Sequence, residues 1–178
     1  MTSDPVEVEQ LTFTFDPSVV PFQYEKRAVC VAGWPQGSKV VDVVAHDLPV
    51  PAVLTWLIEA KDFRVITNPP KPTNLSGLAA TVEAKVRDSL AALPVVGAQS
   101  TNAAAKAHAL AGSAAPAMRV VLHLEPHPAA GLHAALTPAS WIANVSLQLR
   151  INLVDIDPSP LVIDIARTPA ANVPWSVS

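Results

Sequence analysis

The chain is poor in charge, glycine and cysteine, and each shortage removes a class of protein. Only 15% of its 178 residues are charged, while 50% are hydrophobic. A disordered or acidic solvating segment would show the opposite balance. With 6 glycines, neither G-x-x-x-x-G-K nor G-x-G-x-x-G occurs, which removes the P-loop and dinucleotide-binding classes. No G-x-S-x-G turn is present either, so the usual nucleophile elbow of hydrolases is missing. A lone cysteine, Cys30, has no partner for a disulfide and lies in the apolar run Ala28–Ala32. It reads as a small buried hydrophobe, since no adjacent base would activate a thiol. Met1–Glu7 lacks the basic and apolar regions of a signal peptide, and Pro126–Leu149, free of Asp, Glu, Lys and Arg, is broken by polar residues. These features suggest a cytoplasmic protein without a membrane partner. The net charge of −3 argues against a broadly basic nucleic-acid binder.

Proline is abundant, at 18 residues, and punctuates the chain. Leu11–Phe15 alternates as a strand does, and Asp16-Pro17 breaks it. Residues 18–32 suggest a short helix feeding a strand over 28–33. Lys39–His46, rich in β-branched residues, and Leu54–Lys61 are near-continuous apolar runs, as in strands covered on both faces. Residues 65–74, with three prolines, read as an irregular exposed loop. Residues 76–93 carry Leu78, Val82, Val86, Leu90 and Leu93 in one stripe, an amphipathic helix that Pro94 should end. A weaker, Ala-rich helix is expected over 101–115, with further strands over 120–125 and 161–165. Between the last two, residues 141–153 alternate like a strand. A crossover joining parallel strands needs a helix there, and helix is the assignment. The result is one α/β domain with a mixed sheet.

Asp42, Asp47, Glu59 and Lys61 fall within or at the ends of the two clearest strands, where unpaired charge is expensive. Glu59 and Lys61, two apart, share a face. An antiparallel pair joined across Leu48–Val53 with its turn centred between Val50 and Pro51 sets Asp42 opposite Glu59 and His46 on the same face. Two facing carboxylates repel unless neutralised, and a divalent cation does this. Hard oxygen ligands favour Mg²⁺, Mn²⁺ or Ca²⁺ over zinc, with the Ala60 carbonyl as a further ligand. Lys61 would then orient and help deprotonate a metal-bound water, or stabilise developing phosphorane charge.

Asp42, a 16-residue gap and then Glu59-Ala60-Lys61 at the end of an apolar strand resemble the D…E-x-K signature of the PD-(D/E)XK superfamily, the restriction-endonuclease-like nucleases. The resemblance implies a helix, a three-stranded meander (about 28–33, 39–46 and 54–61), a helix (76–93) and a further strand (120–125). It covers about residues 20–125 of a single domain spanning 1–178, with 126–178 as a helix and strand extension. The implied fold is a restriction-endonuclease-like core, a central mixed β-sheet flanked by helices. Asp42 and Glu59 would be the metal ligands, with Mg²⁺ or Mn²⁺ as cofactor, and Lys61 the catalytic lysine. Glu25 would supply the acidic residue that many members carry on the first helix. The proline of the motif is absent, since Val41 precedes Asp42. The implied activity is phosphodiester hydrolysis of nucleic acid, expected to be DNA, by a homodimer or a chain docked on a protein partner, in defence or repair. A non-catalytic interaction module on the same fold is the alternative.

Other residues read as structural. Lys85, in a second E-x-K (Glu83-Ala84-Lys85), lies beside the apolar helical stripe, where snorkelling is a plainer role than reaching a phosphate. His46 reads as a rim residue, His123 and His127 as structural, and Asp155-Ile156-Asp157 before Pro158 as a turn. The charge divides unevenly: residues 1–59 carry net −5, 60–119 net +4 and 120–178 net −2. The positive part includes Lys61, Arg64, Lys71, Lys85 and Arg87. It suggests a narrow phosphate-facing edge at the site.

Overall fold

Alternation of side chains along two central strands divides the molecule into two cores, one under helices and one under a second sheet. The computed structural model describes residues 4–24, 39–48, 51–64, 75–126 and 138–178. In chain order its elements are β1 (Val6–Val8), β2 (Leu11–Phe15), β3 (Val19–Phe22), β4 (Val43–Asp47), β5 (Leu54–Asp62), α1 (Leu75–Gln99), α2 (Ala103–Ala114), β6 (Ala117–Glu125), α3 (Pro138–Asn152), β7 (Leu161–Ile163) and β8 (Trp175–Val177). The main sheet has the order β3-β4-β5-β6-β7. Its first three strands are antiparallel neighbours, whereas β5, β6 and β7 run parallel. Parallel neighbours need long crossovers, and α1 with α2 make the first and α3 the second.

On one face, Val44, Leu57, Leu122 and Leu124 pack against Val82 and Val86 of α1, Ala109 of α2 and Val145 and Leu149 of α3. On the other face, Val43, Ala45, Ile58 and Val121 pack against Leu11, Phe13 and Phe15 of β2 and Trp175 of β8. The helices described therefore cover one face only. The other is covered by a three-stranded antiparallel sheet, β1-β2-β8, that brings the two chain ends together. Sequence pattern identified β2 but not this sheet, because β8 joins it from more than 150 residues away. Among the described residues, no helix is long and apolar enough to cross a membrane.

Two expectations about the elements need correction. Val19–Phe22 is a strand paired with β4, where a short helix was expected; β-branched Val19 and Val20 suit a pleated edge, and Pro21 is tolerated at the sheet margin. The proposed strand over 28–33, Cys30, Glu25, Lys71, His127 and the loop 65–74 lie outside the described residues. Pro94 does not end α1, which continues to Gln99. Leu93 and Val96 are buried on either side of it, and Gly97 meets α2 so closely that a Cβ there would stand 2.9 Å from Leu110 Cδ2. Packing of that last stretch onto α2 offsets the hydrogen bond lost at Pro94. The helix assigned over 141–153 is present as Pro138–Asn152, with Trp141, Ile142, Val145 and Leu149, and Leu153 just past its end, buried and Leu147 and Ile151 exposed. The alternating apolar pattern there was coincidental.

His46 is buried rather than at the rim, its ring 4.7 Å from that of His108 on α2. His108 Nε2 lies 3.1 Å from the Val20 carbonyl and Nδ1 3.2 Å from the Tyr24 hydroxyl. A carbonyl only accepts, so Nε2 carries the hydrogen and Nδ1 accepts from Tyr24, tying α2 to the edge strand β3. Burial, and then the neighbouring His46, push the His108 imidazole down to about 4. The unfolded chain binds this proton near pH 6.5, so stability present at neutral pH is lost as pH falls from 6.5 toward 4. Denaturant titrations should show wild type losing about 3 kcal/mol more than His108→Asn over that window. Equal losses would refute the assignment.

Candidate active site

The β4–β5 hairpin has the pairing expected from its loop. Val43 stands opposite Ile58, Val44 opposite Leu57, Ala45 opposite Trp56 and His46 opposite Thr55. One residue further, Asp42 meets the Glu59 region on the helix-facing side. Asp42 lies just before β4 rather than in mid-strand, and its Oδ2 accepts the Ala60 N–H at 2.8 Å. The N–H and C=O of one strand residue point the same way, so the Ala60 carbonyl also faces the β4 side.

Glu59 is fully buried, at 0% exposure. Lys61, two residues on, places Nζ 2.9 Å from Glu59 Oε1. The structure adds two groups to this trio. Lys85 reaches down from α1 with Nζ 2.9 and 3.0 Å from Glu59 Oε1 and Oε2, and 3.6 Å from Asp42 Oδ1. It is therefore a buried ion-pair partner and not a snorkelling lysine. Glu9, in the β1–β2 turn at a left-handed φ of 54°, crosses from the small sheet. Its Oε1 lies 3.3 Å from Lys61 Nζ, and its Oε2 accepts the Asp62 N–H at 2.6 Å. Sequence pattern held no signal for Glu9, whose position depends on how the second sheet docks.

Burial, followed by the Asp42 charge, pushes the Glu59 carboxyl up, while the Lys61 and Lys85 ammonium groups pull it back. Burial would lower the Lys61 ammonium, but Glu59, Asp42 and Glu9 outweigh it and hold the group above the ordinary lysine range. Lys61 is thus charged at neutral pH. Of its two sequence-based roles, hydrogen-bond donor and electrostatic stabiliser suit it better than proton acceptor.

The hard-oxygen donors Asp42, Glu59 and the Ala60 carbonyl suit Mg²⁺ or Mn²⁺, which takes one or two carboxylates and keeps waters. Glu59 Oε1 is buried and makes no hydrogen bond of good geometry, although two ammonium groups lie at 2.9 Å. Among the described residues, no group of three or more His, Cys, Asp and Glu gathers around one point.

The positive segment proves largely self-neutralised. Arg64 grips Asp62 with two hydrogen bonds, Arg87 bonds Glu83 and Asp155, and Arg119 lies 3.3 Å from Asp157. Among the described residues, the expected narrow phosphate-facing edge is left with Lys61 and Lys85 beside the carboxylate pair. Asp157 is a turn former, as expected, accepting the backbone N–H groups of Val120 and Ser159. His123 is structural, buried between Phe13 and Glu125, and its Nε2 is 2.9 Å from Glu125 Oε1. A largely apolar cavity of about 470 Å³, lined by residues including Val20, His46, His108 and Leu110, contains none of the Asp42–Glu59 cluster. Comparison with protein-family models, curated proteins and solved structures finds no match to this chain.

Proposed function

We propose that this chain is a divalent-metal-dependent nuclease of the restriction-endonuclease-like kind, hydrolysing phosphodiester bonds of DNA. The observation that carries the reading is the convergence of Asp42, Glu59, Lys61 and Lys85 on one buried point where the β4–β5 hairpin ends under α1. The order of elements supports it: an antiparallel meander, a crossover through α1 and α2, and then β6 parallel to β5. In this reading Asp42, Glu59 and the Ala60 carbonyl hold Mg²⁺ or Mn²⁺. Such an ion supplies Lewis-acid polarisation of the phosphate and a more acidic water. Lys61 donates from its ammonium to a phosphate oxygen as negative charge develops, and Glu59 and Glu9 hold that ammonium in place. One site per chain suits a homodimer where both strands are cut.

The test uses supercoiled plasmid, linear DNA and single-stranded DNA with Mg²⁺ or Mn²⁺, with and without EDTA. Cleavage should require the ion and fall about 10²-fold or more in Asp42→Asn, which can still accept the Ala60 N–H. Equal cleavage by wild type and variant would sink the site. One observation favours a second reading, a non-catalytic interaction module. Lys61 and Lys85 already supply two positive charges to the two carboxylates, which lowers the demand for a metal. Failure to cut any substrate with either ion would support that module.

A further inference from the structure

Lys85 is built into the carboxylate site. Its Nζ spans both acids, 2.9 and 3.0 Å from the two Glu59 oxygens and 3.6 Å from Asp42 Oδ1. Lys61, by contrast, pairs with Glu59 and Glu9. The backbone that carries Lys85 is fastened to the chain entering β4. Ser89 Oγ donates to the Lys85 carbonyl at 2.7 Å and accepts the Val41 N–H at 2.9 Å, and Asp88 Oδ2 accepts the Lys39 N–H at 2.9 Å. Lys85 is buried, with 7% of its surface exposed. These contacts fix the helix against Asp42 and leave the four-carbon stem as the part able to move.

We propose that the Lys85 ammonium is the resident cation of the Asp42–Glu59 pair, and that a divalent ion binds there by displacing it. The inference rests on the metal-site reading above and names the residue that sets the site's metal affinity. An ammonium and a divalent ion sharing both carboxylates would repel at contact distance in a poorly solvated setting. The free protein thus avoids two unneutralised buried carboxylates, and bound metal and inward Lys85 exclude one another.

Mn²⁺ binding to the full chain, followed by the paramagnetic resonance of free Mn²⁺, tests this in wild type, Lys85→Met and Asp42→Asn. Lys85→Met should bind Mn²⁺ at least about tenfold more tightly than wild type, and Asp42→Asn more weakly. Unchanged or weaker binding in Lys85→Met would overturn the proposal while leaving the metal-site reading intact. Failure of both wild type and Lys85→Met to bind millimolar Mn²⁺ would overturn both. A second measurement needs no variant. Amine labelling of wild type read by mass spectrometry should find Lys85 protected without metal and several-fold more reactive at saturating Mn²⁺. Persistent protection with Mn²⁺ bound would refute displacement.

Discussion

Lys61→Met should lower the rate of DNA cleavage about 10²- to 10³-fold at saturating Mg²⁺, without weakening Mn²⁺ binding. The magnitude is that of removing one preorganised donor from a site where negative charge develops. Methionine keeps most of the stem volume, and Glu59 retains Lys85 at 2.9 Å, so the fold keeps its main ion pair. The Lys61 side chain is 23% exposed, the most accessible positive group in the cluster and the one placed to meet a phosphate from solvent. Single-turnover cleavage of plasmid, with circular dichroism as a folding control, gives the comparison. A well-folded Lys61→Met that cuts as fast as wild type would remove Lys61 from the chemistry.

The hairpin that carries this lysine was legible in the sequence because two local rules agree. A short connector limits the register, and period-two alternation then decides which residues face one another. Asp42 and Glu59 could be paired on that basis alone. Lys85 and Glu9 could not, since each arrives from a separate layer. Lys85 comes down from a helix across the first crossover, and Glu9 comes from a turn in a sheet closed by the last strand of the chain. The apolar stripe of residues 76–93 even pointed away from a role for Lys85, because stripe periodicity says which face is buried and not whether a charge on its margin meets counter-charge beneath. Pro94 failed as a stop signal for a similar reason. Local propensity penalised continuation by a few kcal/mol, and burial of Leu93 and Val96 with close packing at Gly97 outweighed it.

Glu59→Ala should destabilise the fold by about 3–5 kcal/mol, the usual cost of removing one partner from a buried ion pair. Glu59 is fully buried, and its loss takes from the Lys85 ammonium, whose side chain is 9% exposed, its two closest carboxylate contacts, with Asp42 further off at 3.6 Å. Lys61 is spared because Glu9 lies at its solvent side. Urea unfolding measures the loss directly, and the double variant Glu59→Ala/Lys85→Met supplies the decisive comparison. With the Lys85 charge replaced by an apolar side chain of similar length, the double variant should recover much of the lost stability, because well-packed apolar replacements of buried ion pairs are often neutral or stabilising. A single variant that loses less than about 1 kcal/mol would mean that Lys85 reaches water easily and that the cluster is not a buried one. Recovery in the double variant carries a further consequence. A chain that folds as well without these charges has no structural need of them, and their placement together beneath α1 then points to chemistry at the site.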